Sequence, residues 1–174
     1  MDKNGIRQEI RKCKKRHTDE ELKLLSKNIT EKLEQHPLFI KADNVLLYHS
    51  LPDEVYTHEL IERYKSEKTI FLPTVIGNEV ELHEYNSVSA FKKGYFDIYE
   101  SDGKLLENYS IIDVAIIPGM AFDTEGSRIG RGKGYYDRLL TKLTCKRIGI
   151  CFPFQIVSCI PNEPHDIPVD EVIY

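Results

Sequence analysis

The chain has 174 residues and a mass of 20.2 kDa, enough for one ordinary hydrophobic core without a metal or disulfide staple. Apolar residues make up 41% and charged residues 30%, which excludes a wholly disordered chain. Lys and Arg number 24 against 28 Asp and Glu, a net charge of −4 that argues against a protein wrapped by nucleic acid.

Residues 3–17 are polar and helix-prone, with Ile6, Ile10 and Cys13 on one face and the densest run of Lys and Arg in the chain on the others. Thr18-Asp-Glu-Glu21 is a capping box. It opens a second helix through Leu22, Leu25, Ile29 and Leu33, which Pro37 is expected to end. The period then shortens: Val45 to Tyr48 is an apolar run suited to a buried strand. Thr57 is placed to cap a helix carrying Leu60, Ile61 and Tyr64. Thr69 to Leu72 reads as a strand stopped by Pro73, and Val80, Leu82 and Tyr85 as a weaker one. Residues 86–110 are mixed, with turn signals at Lys93-Gly94 and Asp102-Gly103. Val114 to Ile117 is another buried strand, ended by Pro118-Gly119. A helix is expected over Tyr135 to Leu143 and a strand over Ile148 to Phe152. Short apolar strands alternating with amphipathic helices indicate an α/β class single domain spanning 1–174, with a largely parallel sheet flanked by helices.

No apolar run approaches the roughly 18 residues of a membrane span. The opening Met1-Asp-Lys-Asn-Gly5 has no apolar secretory segment. Cys13, Cys145, Cys151 and Cys159 form no C-x-x-C pair and no zinc spacing, so they read as reduced packing residues. These features together predict a cytoplasmic protein that binds neither membrane nor nucleic acid.

Five of the ten glycines lie between Gly119 and Gly134, three of them alternating as Gly130-Arg-Gly132-Lys-Gly134. Glycines let backbone amides approach a ligand closely. Arg128, Arg131 and Lys133 add charge to the same stretch, and it follows the end of a buried strand, where open α/β sheets hold ligands. The combination predicts an anion site, best suited to a phosphate chain. Neither G-x-x-x-x-G-K-[ST] nor G-x-G-x-x-G fits the spacing. Tyr135 and Tyr136 are placed either to flank a planar ligand or to pack their helix. Asp137 is placed either to hold a hard cation on phosphate oxygens or to pair with a neighbouring base.

Arg128-Ile-Gly-Arg-Gly-Lys-Gly-Tyr-Tyr-Asp-Arg138, preceded by Pro118-Gly-Met-Ala-Phe-Asp123, resembles the signature of the 5-formyltetrahydrofolate cyclo-ligase family. The basic first helix, Leu51-Pro-Asp-Glu-Val55 and Pro164-His-Asp-Ile-Pro-Val-Asp-Glu-Val172 fall in the order that family has. Ile129 stands where leucine is usual, and residues 86–110 match only loosely. The resemblance implies a fold similar to the sugar-phosphate isomerases and CoA transferases. It implies ATP- and Mg²⁺-dependent conversion of 5-formyltetrahydrofolate, with or without a polyglutamate tail, to 5,10-methenyltetrahydrofolate by a monomer or weak dimer. Carried over residue by residue, it implies that Arg131 and Lys133 stabilise charge in catalysis. Lys3, Asn4, Gly5, Ile6 and Arg7, together with Arg128, Ile129, Gly130, Arg131, Gly132, Lys133, Gly134, Tyr135 and Tyr136, would contact ATP. Arg7, His49, Glu54 and the Arg131–Tyr135 turn would contact the folate, and Asp137 and Asp166 would hold Mg²⁺. An isomerase of phosphorylated sugars on the same fold, or a non-catalytic nucleotide or nucleic-acid module, are the competing readings; neither predicts ATP-dependent turnover.

Overall fold

The computed structural model describes residues 1–77, 79–86, 91–93, 99–101 and 103–174. Gly94 and Asp102, which carry the two turn signals of the mixed region, lie outside the described residues.

Six strands form the main sheet: β1 (Asn44–Leu46), β2 (Thr69–Ile76), β3 (Glu79–Glu84), β6 (Val114–Ile117), β9 (Lys146–Ile150) and β10 (Glu171–Ile173). Their order is β10-β9-β6-β1-β2-β3; every pairing is parallel except β2 with β3. Two antiparallel ribbons stand outside it, β4 (Phe91–Lys93) with β5 (Tyr99–Ser101), and β7 (Ala121–Phe122) with β8 (Arg128–Ile129). The helices are α1 (Lys3–Lys14), α2 (Asp19–Glu34), α3 (Pro37–Lys41), α4 (His58–Tyr64) and α5 (Tyr135–Leu140).

The two-residue period of the strands sorts the core onto two faces. Val45, Ile70, Val114, Ile116 and Ile148 pack against Ile29 and Leu33 of α2, Phe39 of α3 and Leu60 and Ile61 of α4. Leu46, Phe71, Ala115 and Ile117, their neighbours in sequence, face Leu139 and Leu140 of α5 with Val80, Leu82 and Phe122. A third cluster joins Ile6 and Ile10 of α1 to Met120, Ala121, Ile129 and Ile160, so α1 docks on the β7–β8 hairpin.

The Thr18 capping box is present in both directions, Glu21 N–H to Thr18 Oγ1 at 3.2 Å and Thr18 N–H to Glu21 Oε2 at 2.7 Å. Several local expectations need correction. Pro37 does not end α2, which stops at Glu34; it opens α3, where its missing N–H costs nothing. Thr57 makes no cap bond to α4; its hydroxyl donates to the Tyr48 carbonyl and accepts from Ser50 N–H, tying the loop after β1 to the start of the helix. Pro73 does not stop β2, which runs on to Ile76. Phe71 C=O accepts from Leu47 on the β1 side, and Ile70 C=O from Tyr85 on the β3 side. By alternation Pro73 points toward β1, where the ladder ends at Phe71, so no bond is lost. The last helix also ends earlier than expected, at Leu140, and β9 is displaced to Lys146–Ile150.

All four cysteines are free; Cys151 is buried, but Cys159 is exposed and so is not a packing residue. Among the described residues no helix is long and apolar enough to cross a membrane.

Candidate functional site

In the sheet, β1 leads to β2 on one side, whereas β6, β9 and β10 continue on the other. The order therefore reverses between β1 and β6, and the loops leaving their C-terminal ends diverge to leave a crevice. A cleft of about 1690 Å³ opens there. It is lined by the start of α1, by Tyr48, His49, Leu51 and Glu54, by Pro118 to Met120, by the glycine-rich turn with α5, and by Pro161 and Glu163 to Ile167; Pro73, Val75 and Val80 give it an apolar side.

Gly132 (φ +101°) and Gly134 (φ +67°) take left-handed conformations that bend the turn back on itself. Arg131 and Lys133 project from it and are exposed. Lys133 Nζ lies 5.8 Å from the Tyr135 ring, and the Arg138 guanidinium lies 5.4 Å from that ring. Tyr135 and Tyr136 line the cleft while packing on the α5 side of the core, so both readings of the pair hold at once. Burial, then the Glu54 carboxylate, pushes the Tyr136 hydroxyl upward, so it stays protonated. At six residues α5 is short, and the case for an anion rests on cations and loop amides rather than on a long helix dipole.

From α1, Arg7 Nε donates to the Gly130 carbonyl at 2.8 Å and Nη1 to Asn4 Oδ1 at 2.7 Å, which fixes the helix to the turn. Lys3 Nζ reaches Asp166 Oδ2 at 2.5 Å and Glu163 Oε2 at 2.9 Å. Burial raises Asp166, but the Lys3 ammonium and the Glu163 amide outweigh it and hold the carboxyl below its usual range. Gly5 and Ile6 do not line the cleft: the Gly5 amide donates to the Asp2 cap, and Ile6 sits in the third core cluster.

Arg128 is not a projecting cation. Its side chain is 3% exposed, with Nη2 on Asp137 Oδ1 at 2.8 Å and the guanidinium 5.5 Å over the Tyr136 ring. Ile129, beside it, is a core residue of the hairpin whose backbone borders the cleft. Asp137 thus pairs with a base, as one of the two sequence readings has it, and keeps its second oxygen outside that pair.

Glu54 Oε2 accepts the Leu51 amide at 3.0 Å, and Oε1 accepts Arg131 Nη2 at 2.9 Å. His49 stacks on His58 with centroids 3.6 Å apart. Burial, then His58, lowers the His49 pKa to about 4, so the ring is neutral near pH 7. Among the described residues, Glu163, His165 and Asp166 place ligand atoms within 4.8 Å of one another; Asp137 lies outside that group.

Two residues the sequence reading passed over do not line the cleft but hold Arg131, which does. Asp53 Oδ1 accepts from Arg131 Nη2 at 2.5 Å, and Lys14 grips Asp53 from α1. Lys14 follows Ile6 and Ile10 at the same four-residue step, so its buried face was marked by spacing even though its charge pointed outward.

The profile described as the 5-formyltetrahydrofolate cyclo-ligase family matches residues 1–174. The 5-formyltetrahydrofolate cyclo-ligase of Mus musculus is 29% identical over 99% of this chain and 93% of its own. That of Escherichia coli K12 is 29% identical over 94% and 95%. Among solved structures, a 5,10-methenyltetrahydrofolate synthetase of Aquifex aeolicus aligns with TM-score 0.89 and 35% identity over 99% of this chain and 89% of that one. The corresponding synthetase of Mycoplasma pneumoniae aligns with TM-score 0.80 and 27% identity over 99% and 98%.

Proposed function

The chain belongs to the 5-formyltetrahydrofolate cyclo-ligase family, and from that premise we propose that it converts 5-formyltetrahydrofolate to 5,10-methenyltetrahydrofolate with consumption of Mg-ATP. The observation that carries this reading is the pairing inside the cleft: Lys3 with Asp166, Arg128 with Asp137 and Arg131 with Glu54. Such a site offers cations to phosphates and carboxylates to a divalent ion. Its volume of about 1690 Å³ exceeds the roughly 300–1,000 Å³ of a single-ligand pocket, leaving room for a nucleotide and a folate side by side.

In the proposed reaction the formyl oxygen attacks the γ-phosphorus and ADP leaves. N10 of the folate then attacks the activated carbon and loses its proton, and phosphate departs. Phosphoryl transfer depends mostly on positioning and charge neutralisation. Arg131 and Lys133 are assigned that role, and the Gly130, Gly132 and Gly134 backbone wraps the phosphates. Lys3, Asn4 and Arg7 extend the nucleotide side, and Arg7, His49, Glu54 and Tyr135 the folate side. The backbone of Gly5, Ile6 and Ile129 is left as the only means by which these three would reach ATP. Arg128 acts by holding Asp137 and supporting Tyr136. Asp137 and Asp166 are the residues that would hold magnesium, each through the oxygen not paired with its arginine or lysine; Asp166 clusters with Glu163 and His165, and Asp137 stands outside that group. A bound magnesium supplies charge neutralisation on the phosphate oxygens.

The test is a spectrophotometric assay of the purified chain with 5-formyltetrahydrofolate. Methenyl absorbance should grow only when Mg-ATP is present. Growth without ATP, or none with it, refutes the reading.

A further inference from the structure

Lys14 is the last residue of α1 and its side chain is 5% exposed. A buried ammonium is costly unless it is paired and hydrogen-bonded. Lys14 meets both conditions at one place, donating to the main-chain carbonyl of Asp53 and to Asp53 Oδ2 at 3.1 Å. The opposite carboxylate oxygen, Oδ1, accepts from Arg131 Nη2 at 2.5 Å. Glu54, the next residue, completes the clasp with Oε1 on Arg131 Nε at 3.1 Å and Nη2 at 2.9 Å.

Arg131 sits between two glycines, one of them left-handed. Nothing in its own loop restrains a long side chain that loses up to about 2 kcal/mol of rotamer entropy when ordered. Its order comes from Asp53 and Glu54; Glu54 is held by the Leu51 amide, and Asp53 by Lys14, which reaches the loop from a helix packed on the hairpin core. The chain of contacts therefore runs α1, loop 51–54, guanidinium. Lys14 also neutralises Asp53, so the clasp as a whole, two cations and two carboxylates, carries no net charge and does not cancel Arg131 twice over.

We propose that Lys14 is a positioning residue for Arg131, acting through Asp53 to aim the guanidinium into the cleft. The inference rests on the reading of Arg131 as a charge-stabilising group in the proposed reaction. Misplacement of such a group by about 1 Å costs up to about 10²-fold in rate, whereas a merely structural lysine would change stability and leave the chemical step alone.

A double-mutant cycle separates the two. Wild type, Lys14→Met, Arg131→Ala and the double variant are compared in kcat and in KM for both substrates, with melting temperature measured alongside. Lys14→Met should lower kcat about tenfold or more with smaller changes in either KM. The double variant should turn over as Arg131→Ala does, because the lysine has nothing left to aim. Effects that multiply, or a wild-type kcat in Lys14→Met, overturn the proposal even if the melting temperature falls. If Lys14→Met does not fold, Asp53→Asn takes its place in the cycle, and additivity there is equally fatal. A wild-type chain without turnover refutes the functional reading and this inference with it; an active wild type with multiplicative effects refutes only the coupling.

Discussion

Gly149 lies near the end of β9, paired with Ile117 of β6 and Val172 of β10. A Cβ there would stand 2.5 Å from Phe122 Cε1, 3.0 Å from Cζ and 3.1 Å from Cδ1. Ordinary carbon contact is about 3.5–4.0 Å, so the fully buried ring must retreat by about 1 Å. It has nowhere to go: a Cβ on Gly119 would meet Cε2 at 2.5 Å, so the ring is clasped between two glycines. Overpacking of this kind costs about 1–3 kcal/mol. For a chain of this length each kcal/mol moves the melting temperature by about 2–4 °C, so Gly149→Ala should melt about 2–12 °C lower. Phe122 also opens the hairpin whose return strand carries Arg128 into the glycine-rich turn, so kcat should fall with stability. Thermal unfolding followed by circular dichroism measures the first effect. The same scan on Gly149→Ala/Phe122→Leu tests the cause, since a smaller side chain should relieve part of the loss. A Gly149→Ala midpoint within about 1 °C of wild type, or a double variant that loses the full sum, would refute the reasoning.

Two further predictions address the site. Lys133→Ala should lower kcat by about 10²–10³-fold while KM for the folate changes far less; unchanged turnover removes the turn from the mechanism. His49, with its pKa lowered to about 4 by burial and then by His58, should show an imidazole titration midpoint near that value by NMR. Between about pH 4 and the unfolded value of 6.5 the unfolded chain binds more protons at this position. His49 therefore withdraws stability as pH falls through that window, and His49→Gln should flatten the acid limb of the unfolding curve. A midpoint near 6.5 would show that the ring is solvated.

Most strands and helices of the α/β core were legible from local pattern, such as four-residue apolar steps in α1 and α2 and continuous apolar runs in β1 and β6; α3 and β10, of 5 and 3 residues, were too short to show one. The departures share a physical cause. Pro73 and Pro37 read as breakers because a proline lacks a donor, but whether that donor is needed depends on a neighbour that is not local. Thr57 read as a cap because it precedes a helix, yet its hydroxyl serves the Tyr48 carbonyl and the Ser50 amide. The two-residue strands β7 and β8 have no periodicity to detect; they exist because Ala121 and Ile129 pack on α1.

The site divides along the same line. Glycines and cations concentrated in one stretch were visible, since both are properties of the stretch itself. What each cation does is decided by partners far along the chain: Asp166 for Lys3, 163 residues away, and Glu54 for Arg131, 77 residues away. Arg128 borders the cleft with its guanidinium buried in a pair with Asp137. The pairing also explains how a chain of net charge −4 can gather several cations around one cleft. A bare cluster of cations would repel itself and need a strong local field to persist in the empty state. In the proposed function phosphates would compete with these carboxylates for the cations, while Lys14 keeps Asp53 beside Arg131. The acidity of the whole molecule and the basicity of its glycine-rich turn are thus compatible parts of one design.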